Sequence, residues 1–142
     1  MADFADIRDN FEFLGDWEDR YRYVIELGRS LEPLNDAERN DANKVQGCAS
    51  QVWLVRDGGG DGSEAPLHFR GDSDAHIVRG LIAILLALYN GRSAPDALEI
   101  DAPAMLAGLG LDAHLSPQRS NGLKAMMARI ADEAQRAVGH AS

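Results

Sequence analysis

Gly71-Asp72-Ser73-Asp74-Ala75-His76-Ile77-Val78-Arg79-Gly80-Leu81-Ile82-Ala83-Ile84-Leu85-Leu86-Ala87-Leu88-Tyr89-Asn90-Gly91 is the stretch from which the fold can be read. Ile77, Leu81, Ile84, Leu85 and Leu88 recur at helical spacing on one face, and Val78, Ile82, Leu86 and Tyr89 widen it. A helix apolar over so much of its circumference needs partners on several sides, so residues 75–90 are expected to form the central core helix. Asp72, Ser73 and Asp74 stand where side-chain oxygens accept from the unpaired N–H groups of a first turn, and are expected to cap it. Asn90-Gly91 supplies the stop. The apolar run from Ile77 to Tyr89 contains Arg79 and is shorter than the ~20 residues a bilayer requires. It reads as core, and no membrane association is expected.

Upstream of this helix, Leu67 and Phe69 alternate with His68 and Arg70, the pattern of a half-buried strand. Residues 51–56, with Val52, Trp53 and Val55, have strand composition, and Trp53 is expected in the core. Residues 57–62 between the two strands hold four glycines in six positions, a connector for antiparallel strands. No Lys-Ser/Thr follows those glycines and a strand comes next, which rejects a phosphate-binding loop. Residues 35–43 are polar and read as a loop with room for one helical turn.

Nearer the N-terminus, Asp3 caps a helix with Phe4, Ile7, Phe11 and Leu14 inward, and Gly15 stops it. Asp16 caps a second helix with Trp17, Tyr21, Val24, Ile25, Gly28 and Leu31 inward, ended by Pro33. Downstream, residues 93–100 and 103–109 read as short helices, and Gly108, Gly110 and Pro117 bracket a loop. A final helix over residues 120–138 turns Leu123, Met126, Met127, Ile130, Ala134 and Val138 inward. The two methionines read as core filling. The order helix, helix, short strands, helices argues an α+β domain: a small antiparallel sheet of about three strands covered by helices. With no repeat and no boundary, residues 1–142 are expected to form one domain.

A composition of 45% hydrophobic and 26% charged residues suits a soluble globular chain. Fourteen basic against twenty-three acidic residues give a net charge of -9, which repels phosphate backbones and disfavours nucleic-acid binding. One cysteine permits no internal disulfide, and Met1-Ala2-Asp3 is not a basic, apolar leader; a reducing cytoplasm is the expected setting.

That cysteine lies in Val45-Gln46-Gly47-Cys48-Ala49-Ser50-Gln51-Val52-Trp53. Taken by residue type alone, a lone cysteine is more often a small buried hydrophobe than a nucleophile. Here its neighbours Gly47, Ala49 and Ser50 put little bulk around the sulfur, and Gly47 lets the chain bend sharply. One cysteine and the scattered His68, His76, His114 and His140 offer no zinc spacing and too few thiolates for an iron–sulfur cluster. A cysteine hydrolase needs an oriented base, and the spacing of His68 or His76 demands no such role. Thiolate attack on a donor's terminal sulfur needs only one accessible cysteine.

Lys44-Val45-Gln46-Gly47-Cys48 followed by Ser50-Gln51-Val52-Trp53 closely resembles the signature of the SufE family, sulfur-acceptor proteins of iron–sulfur cluster assembly. Trp17-Glu18 with Tyr21, Tyr23, Ile25, Glu26, Leu27 and Gly28 resembles the family's second helix. Gly71-Asp72-Ser73-Asp74-Ala75 with Ile77-Val78-Arg79-Gly80-Leu81 resembles its central segment. Leu115-Ser116-Pro117, Arg119-Ser120 and Gly122-Leu123 resemble the start of its C-terminal helix. These four blocks run in the family's order over nearly the whole chain.

The resemblance implies the fold shared with U-type cluster scaffolds, and Cys48 as the residue that takes persulfide sulfur. The implied donor is a pyridoxal-phosphate cysteine desulfurase of the SufS or CsdA type, stimulated in the process, and a cluster-assembly scaffold complex is the implied acceptor. Pyridoxal phosphate belongs to that desulfurase; this chain is expected to bind no cofactor and no metal. It would act as a sulfurtransferase-type carrier rather than a stand-alone enzyme. Gln46, Gly47, Ala49, Ser50 and Gln51 are expected to shape the loop, with Gln51 ordering it through hydrogen bonds. Asp72, Ser73 and Asp74 are expected to shape the adjoining surface. Arg119, at a family motif position, is expected either to stabilise a thiolate or persulfide or to be a solvated arginine or an ion pair at a helix start. The resting sulfur is expected to be sheltered, with the loop swinging outward on a partner. The competing reading is an allosteric regulatory module of the desulfurase in which Cys48 is structural.

Overall fold

Two aspartates start the first two helices. In the computed structural model, which describes residues 3–48, 50–57 and 66–141, Asp3 accepts from the Asp6 amide at the head of α1 (Phe4–Leu14). Asp16 does the same for the Glu18 amide at the head of α2 (Trp17–Gly28). Gly15, at φ 62°, ends α1 in a backbone state that carries no Cβ penalty for glycine. Phe4, Ile7 and Phe11 of α1 and Val24, Leu27 and Gly28 of α2 are buried. Helix α2 ends five residues before Pro33, because the Arg29, Ser30 and Leu31 amides turn back in tight turns onto Glu26, Leu27 and Gly28.

Strands β1 (Val52–Arg56) and β2 (Phe69–Ser73) pair antiparallel, with Val52 opposite Ser73 and Arg56 opposite Phe69. Val52 and Leu54, and likewise Phe69, Gly71 and Ser73, alternate into the core. Trp53 therefore stands on the outer face, half-buried and opposite Asp72, rather than in the core. Of about three strands expected, these two are regular among the described residues. The third edge is short: the Val45 amide donates to the Val52 carbonyl (2.8 Å) and the Leu54 amide to the Asn43 carbonyl (2.9 Å). Of the glycine-rich connector, only Asp57 falls within the described residues; its amide prolongs the pairing by a bond to the His68 carbonyl (2.7 Å).

The strand expected around residues 67–70 begins at Phe69 and continues to Ser73, so Asp72 and Ser73 are sheet residues and not helix caps. Pairing with β1 as far as Val52 fixes their backbone, and the pleat turns Ser73 inward and Asp72 outward. Helix α3 (His76–Tyr89) starts from Ala75 with no side-chain cap; the Ser73 hydroxyl accepts from the Ala75 amide one residue too early. Asn90 ends α3, and its amide group brackets Phe69 by accepting from its N–H (2.8 Å) and donating to its carbonyl (3.1 Å).

Ten of the fourteen residues of α3 are buried, which makes it the central element. Each leucine or isoleucine fully buried there contributes roughly 1.5–3 kcal/mol before entropy is counted. Helix α2 crosses α3 in backbone contact: a Cβ built on Gly80 would lie 2.0 Å from the Val24 carbonyl oxygen, and one on Gly28 would lie 2.7 Å from the Gly80 nitrogen. Four helices follow: α4 (Ala94–Leu98), α5 (Ala102–Gly108), α6 (Leu111–His114) and α7 (Pro117–Ala141). The loop expected before Pro117 contains α6, which forms because Leu111 packs into the core. Helix α7 begins three residues earlier than expected. Ser116 caps it through the Arg119 amide (3.2 Å), and Pro117 fills a first position whose N–H would go unbonded. Its inward face is Leu123, Met126, Ile130, Ala134 and Ala137. No helix among the described residues is long and apolar enough to cross a membrane.

Two arginine clips tie the polar segment 35–43 to β2. Arg70 donates to both Glu38 oxygens and, through Nε, to Asp57 (2.6 Å). Arg39 donates to Asp72 (2.8 Å), whose other oxygen lies 3.1 Å from Arg79 Nε. The Arg70 hydrogen bonds, followed by the Asn35 amide, hold the Glu38 carboxyl down from the ordinary 4.5 to about 2.

Gly80→Ala is expected to cost about 3 kcal/mol, read as a lower urea midpoint, because the new methyl meets a main-chain oxygen that cannot move alone. A midpoint within error of the parent's would show that the crossing has slack. For Glu38 the folded group holds its proton more weakly than the unfolded one. Its stabilisation is therefore complete above about pH 5 and is lost as pH falls toward 2. Glu38→Gln is expected to flatten the urea midpoint against pH over that interval; an unaltered curve would assign acid lability to other carboxylates.

Candidate functional site: the cysteine hairpin

Cys48 sits near the tip of a hairpin that leaves the sheet edge at Val45 and rejoins β1 at Val52. Val45 and Val52 are buried and close its base, while Gln46, Gly47 and Gln51 are exposed. Gly47 has φ 92°, a conformation that a side chain would strain, and this turns the chain so that Cys48 faces α7. Ala49, expected to help shape the loop, lies outside the described residues.

The sulfur rests against Gly122 of α7. Its Sγ–H donates to the Gly122 carbonyl at 3.5 Å, and a Cβ on residue 122 would stand 3.5 Å from Sγ. Glycine at this position leaves room on the sulfur's side of the helix. Beside it lies a cavity of about 360 Å³, whose lining includes Cys48, Ser50, Val78, Arg119, Gly122 and Met126. Burial pushes the Cys48 thiol above its ordinary 9.0. The S–H bond to a carbonyl acts in the same direction, since ionisation removes the donated proton and leaves an anion facing an oxygen.

Arg119 lines the same cavity and is exposed, and among the described residues no carboxylate pairs with it. It does not offset the effect of burial on the resting thiol. Asp74 grips the returning leg of the hairpin: its Oδ1 accepts from the Gln51 amide (3.0 Å) and its own amide donates to the Gln51 carbonyl (3.3 Å). Gln51 thus orders the loop through its main chain. Asp72 and Ser73 do not line the cavity; Asp72 serves the arginine clip and Ser73 the start of α3. His68 pairs with Glu32 at 3.0 Å and His76 is exposed, and neither lines the cavity. Among the described residues no group of three or more Cys, His, Asp or Glu could hold a metal ion.

Reading the sequence alone missed Gly122, Ser116, Gln118 and Met126 as walls of the site. For Gly122 the available signal was a glycine inside an otherwise helical pattern, a position that usually has a packing reason.

Sheltering and the raised pKa together predict slow chemistry at the resting thiol. Alkylation of Cys48 by iodoacetamide is expected to be at least about tenfold slower at pH 7.5 in the native protein than in urea, with a pH midpoint above 9.0. A native rate matching the urea rate would show that the thiol is unprotected.

The chain has counterparts in sequence and in fold. The family model described as "SufE: Fe-S metabolism associated domain" matches residues 5–134. An uncharacterized SufE-like protein of Rhizobium meliloti is 53% identical over 135 residues, covering 95% of this chain and 96% of that protein. A second, from Rhizobium etli, is 54% identical over 135 residues, covering 95% and 91%. The solution structure of a hypothetical protein from Thermus thermophilus superimposes with a TM-score of 0.72 over 96% of both chains; at 22% identity it is similar in fold alone. The α+β architecture is thus one already seen in a solved protein. A match spanning the sheet, the cysteine hairpin and the start of α7 places this chain in the SufE family, whose domain is associated with iron–sulfur metabolism.

Proposed function

We propose that this protein accepts sulfur as a persulfide on Cys48 from a cysteine desulfurase, stimulates that enzyme by clearing its product, and passes the sulfur to iron–sulfur cluster assembly. The observation that carries the reading is a single half-buried thiol at a hairpin tip, opening on a cavity of about 360 Å³ with neither a histidine nor a second thiol in its lining. Such a site suits transfer of one atom and suits neither hydrolysis nor dithiol redox chemistry.

In the transfer, Cys48 thiolate attacks the terminal sulfur of the donor's Cys–S–SH. The donor S–S bond breaks as the new one forms, the donor cysteine leaves as a thiolate, and Cys48 carries S–SH. The same exchange, run onto an acceptor thiol, returns Cys48 to the resting state. With no second cysteine in the chain, no internal thiol can release the sulfur as sulfide. The reducing cytoplasm is the setting this thiol chemistry suits.

The resting thiol is not poised for this attack, so a partner that draws the hairpin outward supplies the activation: leaving the cavity removes the burial that raises the pKa. Arg119, which has no carboxylate partner among the described residues, is the cation of the cavity lining available to meet a thiolate or persulfide. Pyridoxal phosphate stays with the desulfurase.

Mass spectrometry after incubation with a desulfurase and cysteine is expected to show about +32 Da on Cys48, as one sulfur atom adds. Cys48→Ser should fold normally, gain nothing and lose the stimulation of cysteine turnover. Full stimulation by Cys48→Ser would favour the regulatory module with a structural cysteine.

A further inference from the structure

The tip of the Cys48 hairpin is weakly held. Among the described residues 46–48 and 50, the bond that reaches the rest of the protein is the long Sγ–H contact to Gly122. Where the sulfur rests is therefore decided at the hairpin's legs. The returning leg is fixed by Asp74 and Gln51. On the entering leg, the Asn43 carbonyl accepts from Leu54 in β1, and the carbonyls on either side of it accept from one side chain of α7. Arg129 donates Nη2 to Ala42 (2.8 Å) and Nη1 to Lys44 (3.3 Å).

The guanidinium is itself held. Glu133, one turn further along α7 with its side chain only 16% exposed, lies 3.6 Å from Arg129 Nε and 3.0 Å from Arg56 Nε. A planar fork ion-paired at Nε presents both Nη groups in one plane, which a lysine's single ammonium cannot reproduce. Helix α7 thus carries both the carbonyl on which the sulfur rests, at Gly122, and the clamp that sets the leg delivering it, at Arg129.

We infer that Arg129 is a positioning residue of the sulfur site: oriented by Glu133, it clamps the entering leg of the hairpin to α7 and so keeps Cys48 over Gly122 in its sheltered place. The site's role rests on the sulfur-acceptor reading given above. The clamp does not, and its test needs no desulfurase.

Arg129→Gln and Arg129→Lys would be compared with the parent by iodoacetamide alkylation of Cys48 from pH 7 to 10, by hydrogen exchange over residues 44–52, and by urea midpoint. Leu88→Ala, a truncation in the core of α3, serves as a control that lowers global stability without touching the hairpin. Arg129→Gln is expected to speed alkylation at neutral pH by about tenfold, the ratio that follows from losing one charge-assisted hydrogen bond. It should also lower the alkylation midpoint toward the ordinary 9.0 and speed exchange in residues 44–48. Arg129→Lys should fall between the two, because one ammonium reaches one carbonyl well. Leu88→Ala should leave rate and midpoint at parental values. Parental alkylation and exchange in Arg129→Gln would overturn the inference, as would an equal acceleration in Leu88→Ala. If the Arg129 effects appear while the parent protein takes no sulfur from a desulfurase, the clamp stands and the sulfur-acceptor reading falls.

Discussion

The contact on which the rest depends is the crossing of α2 and α3 at Gly28 and Gly80. With a Gly80 Cβ position 2.0 Å from the Val24 carbonyl, the two backbones touch and no side chain intervenes. Interiors packed to this density do not deform smoothly, so the crossing fixes where α3 begins as well as where it lies. From that start the order of dependence is short. Ser73 and Asp74 join β2 to α3; Asp74 fixes Gln51; Gln51 opens β1 and closes the hairpin that holds Cys48. A glycine pair far from the sulfur thereby sets the sulfur's frame.

The site itself balances two demands on one atom. Burial and a carbonyl acceptor keep Cys48 protonated, which suppresses oxidation and stray exchange, since both need thiolate and access. The same features slow the reaction proposed for it. The hairpin answers with an uneven distribution of restraint. Its legs are bonded to β1, to Asp74 and to Arg129, while the described residues of its tip offer one long S–H bond and a glycine at φ 92°. Displacing the tip therefore breaks little, and the legs keep the displaced sulfur within a limited range. On the reading proposed above, so lightly held a tip would leave a presented state within reach of a partner whose binding selects it.

Local chemistry explains which parts of this were legible in the sequence. The first two helices and their aspartate caps could be read because caps, stops and apolar spacing all lie within a few residues of one another. The α+β class and the central helix followed from periodicity, and the cysteine stood out by being single. The misread places are those where one residue type serves two structures. Asp72 and Ser73 look like helix caps, but three-dimensional pairing with Trp53 and Val52 makes them strand. Pro33 is a good helix breaker, yet α2 had already turned out at Gly28. Helix α6 was hidden between Gly110 and Pro117 because its existence depends on Leu111 finding the core. Arg129 was invisible as a site residue, and Gly122 showed only as a glycine in a helical pattern: their partners lie 85–87 and 74 positions away, and no local pattern encodes such a distance.

Charge gives the last step. Carboxylates outnumber basic groups by twenty-three to fourteen, yet among the described residues Arg8, Arg20, Arg92 and Arg119 have no paired carboxylate; Arg20 and Arg92 donate instead to the Phe11 and Leu88 carbonyls. Arg39, Arg56, Arg70, Arg79 and Arg129 are all engaged with carboxylates, and each is at least two-thirds buried, so they act as clips between segments. Arg119 is exposed at the cavity and, among the described residues, has no such partner. Exposed positive charge in an acidic protein is usually neutralised within the chain at little cost, because such pairs contribute only roughly 0–1 kcal/mol either way. A cation left open beside a sulfur that becomes anionic when it reacts has a counter-charge supplied by the chemistry itself. The resting thiol, still protonated, does not call on it. On the proposed transfer, the arginine and the sulfur would be complementary only in the reacting state, which is where an electrostatic contribution accelerates a transfer rather than merely stabilising the fold.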